Sequence, residues 1–284
     1  MLNVDEFESV FRAADKKNFH YLPPNVKRIL AIADLEGTEL DDWVDAVRRL
    51  LVRLEADAEW IVRGGGSWSG VTGVLQAVQE HEPDLIVSYR NLNSDAWKWA
   101  YSLGVYLNAL TRGTTVPVLV TPHPQARPAM SWQHSRTDSV MVINDSLTGD
   151  DSLVSWGACV TREDGVLHLT HMEHDEIFDR YIDAISKIPE IDTETARETI
   201  MKHLLKEPRE YIESATKILA EAGLKLRVEK HVSIGHRVSD YRALATEHEV
   251  DVLVFPTLEE DRPALHGVAS SLAREMVNTP LLMV

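Results

Sequence analysis

One signature occurs twice in this chain, and that repeat limits what the chain can fold into more than any other feature. Residues 103–122 read LGVYLNALTRGTTVPVLVTP and residues 266–284 read HGVASSLAREMVNTPLLMV. Gly104-Val105 aligns with Gly267-Val268, Pro117 aligns with Pro280, and the proline lies thirteen positions after the glycine in each copy. Each signature follows the same object, a helical pattern, a short linker and an apolar run. These are VTGVLQAVQEHEPDLIVSY (71–89) and VSDYRALATEHEVDVLVFP (238–256), with Asp84 and Asp251 in register. Further upstream, RILAIAD ending at Asp34 aligns with VMVIND ending at Asp145. A repeat of this length means one supersecondary unit used twice. The proline-rich, polar stretch PHPQARPAMSWQHSRTD (122–138) interrupts the pattern and marks the division. The expected organisation is an N-terminal helical extension (1–26), a shortened first domain (27–124), a linker (125–138) and a second domain (139–284).

Within each copy, short apolar runs alternate with helical patterns. Ile29 to Ala33, Leu85 to Ser88 and Val116 to Val120 are nearly continuous apolar runs bounded by polar or turn residues. Such runs suit strands buried on both faces of a parallel sheet. Ala46, Val47, Leu50, Leu51 and Leu54 recur at helical spacing between the first two. The second copy predicts strands near 139–144, 166–172, 226–233, 251–255 and 281–284. Its predicted helices lie near 194–222, 236–248 and 267–277, with Pro208 as a kink or break. The first copy has room for about one strand between its first helix and Gly64, so it is expected to lack a strand-helix pair. Alternation of this kind predicts an open α/β fold.

Composition excludes several classes of partner. With 29 basic and 45 acidic residues the formal net charge is −16, which repels phosphate backbones and anionic lipid. Neither nucleic acid nor membrane is an expected partner, and no apolar run approaches the roughly 20 residues that span a bilayer. The opening MLNVDEFESVFRAADKKNF lacks the basic-then-apolar order of a signal peptide. Its Val4, Phe7, Val10, Phe11 and Ala14 form a helical stripe, read as a short docking helix. The single Cys159 reads as a small core residue of a cytoplasmic protein.

The order of these pieces resembles the universal stress protein domain, here in tandem. It consists of an acid at the end of the first strand, D-(apolar)3, a loop, and G-V-x11-P followed by an apolar run. The resemblance spans most of 27–121 and 139–284 and is best where Gly235, Asp251, Gly267 and Pro280 fall at family spacing. It implies two Rossmann-like parallel units whose last strands, 117–121 and 281–284, pair as an intramolecular pseudo-dimer; a further homodimer is also expected from their apolar faces. It implies a cytoplasmic stress-response protein, a regulatory or small-ligand-binding module and not an enzyme, with an unidentified small molecule or protein as partner. By the same resemblance Asp34 and Asp145 lie beside an adenine pocket, and Gly104, Gly235 and Gly267 belong to the ligand-binding loops. Family members that hold ATP carry G-x-x-G-x9-G-[S/T]. Here Pro256 and Glu259 replace the first two glycines and Val268 the hydroxyl residue, while Glu259, Glu260 and Asp261 add like charge. The first copy has no glycine before Gly104 in YRNLNSDAWKWAYSLGV (89–105), though Arg90 and Lys98 offer cations and Trp97 or Trp99 a stacking face. No ATP cofactor is expected in either copy; a nucleotide-binding, weakly hydrolysing version is the alternative within the family.

Three other constellations carry possible chemistry. Asp34-Leu35-Glu36-Gly37-Thr38 with DSLTGDD (145–151) resembles the haloacid-dehalogenase phosphatases, which would make Asp34 a nucleophile. Glu36 then stands where that family has its acid Asp, and no lysine lies between Lys98 and Lys187. HLTHMEHDE (168–176) offers His168, His171, His174 and Asp175; His171, His174 and Asp175 could meet a zinc or nickel ion in a turn beyond the strand. The glycines of VRGGGSWSG (62–70) read either as a phosphate nest or as a strand-to-helix connection.

Overall fold

The computed structural model describes residues 18–284 except 55–56, 99–101, 127–131, 135, 145–146, 260–261 and 264–266. Among the described residues the chain forms one nine-stranded sheet, a two-stranded hairpin and eight α-helices. The first half contributes β1 (Arg28–Ile32), α1 (Gly37–Leu50), β2 (Glu59–Arg63), α2 (Gly70–His81), β3 (Leu85–Tyr89), α3 (Val105–Gly113) and β4 (Val118–Thr121). The second contributes β5 (Ser139–Ile143), α4 (Asp151–Val160), β6 (Val166–His174), α5 (Asp175–Ile185), α6 (Thr193–Glu221), β7 (Arg227–Gly235), α7 (Arg237–Glu247) and β8 (Val252–Phe255). A hairpin of β9 (Leu258–Glu259) and β10 (Arg262–Pro263), then α8 (Gly267–Glu275) and β11 (Leu281–Met283), complete it.

The sheet order is β2-β1-β3-β4-β11-β8-β5-β6-β7. All neighbours are parallel except β4 and β11, which pair antiparallel with Leu282 opposite Leu119. Read outward from that seam, both halves place their last strand first, then the preceding strand, then the first and second strands of the half. The 117–121 and 281–284 runs are therefore side by side, as expected, and the first half is one strand short. Burial follows position in the sheet. Strands β3, β4, β8 and β11 are buried at every residue, whereas the edges β2 and β7 have no buried residue. Helices covering both faces of the central strands explain the near-continuous apolar runs there.

Three local expectations change. Pro208 neither breaks nor visibly ends α6, which is continuous over 29 residues. The packed face of Leu205, Tyr211, Ile212, Ala215 and Leu219 holds the helix through it, and the carbonyl deprived of a donor belongs to exposed Leu204, where water can serve it. Strand β6 extends to His174 and α5 starts at Asp175, so no turn follows the strand. Helix α4 was invisible to periodicity because every residue from Leu153 to Val160 is buried, leaving no polar face. Its N-terminus is set instead by Asp150, whose carboxylate accepts the Leu153 N–H at 3.0 Å.

The candidate docking helix lies outside the described residues, but the segment after it is well anchored. Phe19 is fully buried and meets Tyr211 edge-on at 6.0 Å, and its N–H donates to Ser214 Oγ at 3.2 Å. The Leu22 N–H donates to Ser155 Oγ at 3.0 Å, and Tyr21 Oη lies 3.1 Å from Cys159 Sγ. Burial pushes the Cys159 thiol above its usual range, in keeping with a packed, unreactive cysteine. This strap precedes the first half in sequence yet packs on α4 and α6 of the second. Phe19→Ala should cost about 3–5 kcal/mol by urea unfolding, the usual cost of emptying an aromatic core site; a loss below about 1 kcal/mol would mean the strap is not part of the core.

Candidate functional site

The sheet order itself creates a crevice. From β1 the chain goes to β2 on one side and then to β3 on the other, and ligands in open α/β sheets bind beyond the carboxyl ends of strands at such a switch. Asp34 sits at that point, two residues past the end of β1. Its carboxylate accepts the Tyr89 hydroxyl and, at 3.1 Å, the Asn93 N–H, while its own N–H donates to Tyr89 Oη at 2.9 Å. Tyr89 is fully buried, and burial followed by the Asp34 carboxylate raises its pKa far above the usual phenol value. Trp43 braces it edge-on at 5.3 Å, and the Trp43 indole N–H donates to Thr121 Oγ1 at 3.1 Å. Asp34 is thus positioned from below by a rigid aromatic column, yet it remains exposed.

The crevice above it is a cavity of about 550 Å³. Its walls carry four carboxylates, Asp34, Glu36, Glu39 and Asp95, and the rings of Trp97 and His123. Trp97 stacks on His123 at 5.1 Å with 13° between the planes, and His123 meets Tyr89 edge-on at 5.2 Å. Among the described lining residues there is no lysine or arginine. Lys98, next to Trp97, pairs with Asp95 at 3.0 Å and lies over the Trp97 ring. Burial pulls the His123 pKa from 6.5 down to about 4, against the pull of Asp34 and Asp95. The imidazole is therefore neutral at pH 7, and its Nδ1 accepts the Gln125 N–H at 3.2 Å.

Two of the glycines picked out from sequence, Gly104 and Gly65, serve close approach of the backbone. Gly104 has φ +93°, and a Cβ there would lie 2.8 Å from Asn91 Cα. That contact closes the loop over the crevice, together with the Asn91 N–H donating to the Leu103 carbonyl at 2.8 Å. The Gly64–Gly66 run packs on the loop holding Asp34: a Cβ on Gly65 would meet the Asp34 carbonyl at 3.0 Å, and the Gly65 N–H already donates to Leu35. The run connects β2 to α2, with Glu36 Oε1 beside it. A Cβ on Gly235 would run into Asp240 Oδ2, which holds the His236 N–H at 2.9 Å. Gly267 opens α8. Asp145, the counterpart of Asp34, lies outside the described residues, as does Trp99. Where a glycine loop would follow β8, the chain forms the β9–β10 hairpin, with β10 alongside α3 of the other half.

His171, His174 and Asp175 do not converge. His171 lies 2.9 Å from Glu173 Oε1 and is buried, whereas His174 faces Asp175 at 3.5 Å. Pairing with β7 persists to His174, so residues three apart on this strand point to opposite faces. The sequence missed Tyr89, Asn93 and His123 as neighbours of Asp34, because nothing local signals that 55, 59 and 89 residues further on the chain returns to one point.

No protein-family model matches the sequence, and no curated protein does. Among solved structures, a universal stress protein from Archaeoglobus fulgidus superposes over 90% of this chain and 95% of its own, with a TM-score of 0.50 at 13% identity. The fold is that of the universal stress proteins. A functionally unknown Pseudomonas aeruginosa protein, PA1789, covers 91% of this chain and 92% of its own, with a TM-score of 0.47 at 15% identity. The hypothetical protein MJ0577 matches 52% of this chain over 96% of its own, with a TM-score of 0.39 at 17% identity. At these identities the universal-stress fold is what the likeness establishes.

Two outcomes follow from the crevice. In an NMR titration the His123 imidazole should protonate with a midpoint near 4. Between pH 6.5 and 4 the unfolded chain then binds more protons at this site, so stability falls as pH is lowered through that window. A His123→Gln variant should lose less stability than the parent over the same window; equal slopes would exclude this group. Gly104→Ala should cost roughly 1–3 kcal/mol, since non-glycine residues are strained at that backbone conformation, and should broaden the Asn91–Asn93 resonances.

Proposed function

We propose that this chain is a tandem universal stress protein that works as a cytoplasmic regulatory or small-ligand-binding module and not as an enzyme. The observation that carries the reading is the Asp34 crevice, an acidic and aromatic cavity at the switch point of a universal-stress fold. Its chemistry favours an uncharged or cationic heteroaromatic ligand. Trp97 and His123 offer ring faces, and Asp34 has lone pairs to spare for an N–H donor after accepting Tyr89 and Asn93. A triphosphate would meet the opposite conditions. Four carboxylates line the space, and one full like-charge pair at about 6 Å and an effective dielectric near 20 costs roughly 3 kcal/mol before screening. That offsets about a hundredfold in affinity. In the second half Pro256 contributes no N–H and Glu259 stands in the hairpin that replaces a glycine loop.

No observation favours the phosphatase reading. The Asp34 carboxylate is tied by Tyr89 and Asn93, Glu36 stands in the acid position, and no described lysine lines the cavity.

Calorimetry and thermal shift test the proposal. ATP with magnesium should bind no tighter than about millimolar, while adenine or adenosine should raise the melting temperature of the parent protein and not of Asp34→Ala. A ligand at a hundredfold excess over its dissociation constant adds roughly 2.7 kcal/mol, well within detection. Micromolar ATP affinity would overturn the reading.

A further inference from the structure

At the amino ends of the outer strands of the second half lies a group of side chains remote from the Asp34 crevice. His168 on β6 pairs in register with Glu229 on β7, and His231 follows two residues later on the same face. His248, which ends α7, completes the group. One ligand-capable atom from each of the four lies within 4.8 Å of all the others. His168 Nδ1 is 3.0 Å from His231 Nε2 and 3.5 Å from Glu229 Oε2, and His248 Nδ1 is 3.9 Å from the same oxygen. In a tetrahedral zinc site with bonds near 2.0–2.1 Å, ligand atoms are separated by about 3.3 Å. The separations of 3.0, 3.5 and 3.9 Å bracket that value.

The surroundings fix which atoms are offered. Ser139 Oγ donates to the His248 carbonyl at 2.9 Å, so its lone pairs are left to accept from His168 Nε2–H at 3.2 Å. That hydrogen bond puts the His168 proton on Nε2 and turns the Nδ1 lone pair into the cluster, the arrangement by which outer partners orient metal-binding imidazoles. Arg227 engages Glu229 Oε1 at 3.3 Å and leaves Oε2 facing the histidines. Burial, followed by the two neighbouring imidazoles, lowers the His168 pKa to about 4, which keeps that ring neutral. His168 is buried, while Glu229, His231 and His248 are half-buried and give an ion a route in.

We infer that His168, Glu229, His231 and His248 form a binding site for a divalent transition metal, with Zn²⁺ the best match to three imidazoles and one carboxylate. Four protein ligands fill a tetrahedron, which makes the site structural, with no open position for a reacting water. The ion would fasten the edge strand β7 to β6 and to the end of α7. On binding, His231 gives up the Nε2 proton it shares with His168, which moves to solvent or to its own Nδ1. The site stands independently of what the Asp34 crevice binds.

The test uses tag-free full-length protein stripped with a chelator and reloaded with Zn²⁺. Elemental analysis should find one equivalent per chain, with a sub-micromolar dissociation constant by chelator competition and a raised melting temperature. Co²⁺ in its place should show the intense visible bands of tetrahedral coordination. His231→Ala and His248→Ala, at half-exposed positions that leave the core intact, should each weaken Zn²⁺ binding at least about a hundredfold, and Ser139→Ala about 10–100-fold. His171→Ala and His174→Ala should bind as the parent does. Absence of bound Zn²⁺, an octahedral Co²⁺ spectrum, or unchanged affinity in the His231→Ala/His248→Ala double variant would overturn the inference.

Discussion

The antiparallel pairing of β4 with β11 is the contact on which the rest of the molecule depends. Val118, Leu119 and Val120 face Met283, Leu282 and Leu281, and every one of them is essentially inaccessible to water. Each half on its own would end in an unpaired edge strand made almost wholly of apolar residues, a template for aggregation. Joining the two edges removes both and turns two short sheets into one. The remaining edges, β2 and β7, are the strands that have no buried residue and carry charge. Arg90 crosses the same seam. It lies just past β3, is 3% exposed, and donates from Nη2 to the Met276 carbonyl ahead of β11 at 2.8 Å. Among the described residues its Nε and Nη1 have no partner, and burial lowers its pKa to about 10. A guanidinium so placed costs desolvation.

Reversal at the seam also decides where chemistry can sit. Strands of the two halves run in opposite directions, so the carboxyl ends of the first half share one end of the sheet with the amino ends of the second. The Asp34 crevice and the histidine cluster both open at that end, separated by the width of the sheet. The crevice arises from a change of direction in strand order. The cluster arises from the register of two edge strands and the helix that returns across them. One end of the sheet thus carries an acidic, aromatic cavity and a cluster of three histidines and a glutamate, built by unrelated means.

Much of this was legible in the residues themselves. The doubled G-V-x11-P signature, the continuous apolar runs and the deletion in the first half specify parallel strands, two related halves and a short first half, because burial on both faces imposes a pattern on sequence. The acid at the end of β1 was visible as well, since a charged residue directly after a doubly buried run marks where the strand leaves the core. What failed were elements whose stability is not local. Fully buried α4 has no polar face to give a helical period, and α6 passes through Pro208 because packing outweighs one missing hydrogen bond.

The sites divide along the same line. The sequence by itself determined Asp34 as a candidate, the glycines of its loops and a histidine-rich strand, all of them short-range features. It grouped His171, His174 and Asp175 because they are close in sequence, while strand geometry sends residues three apart to opposite faces. Only the tertiary structure set Tyr89, Asn93 and His123 around Asp34, and only the β6–β7 register set Glu229 and His231 beside His168. Those contacts join residues 55 to 89 apart at Asp34 and 61 and 63 apart at the cluster. Periodicity reports which face of an element is buried; it does not report which other element will cover that face.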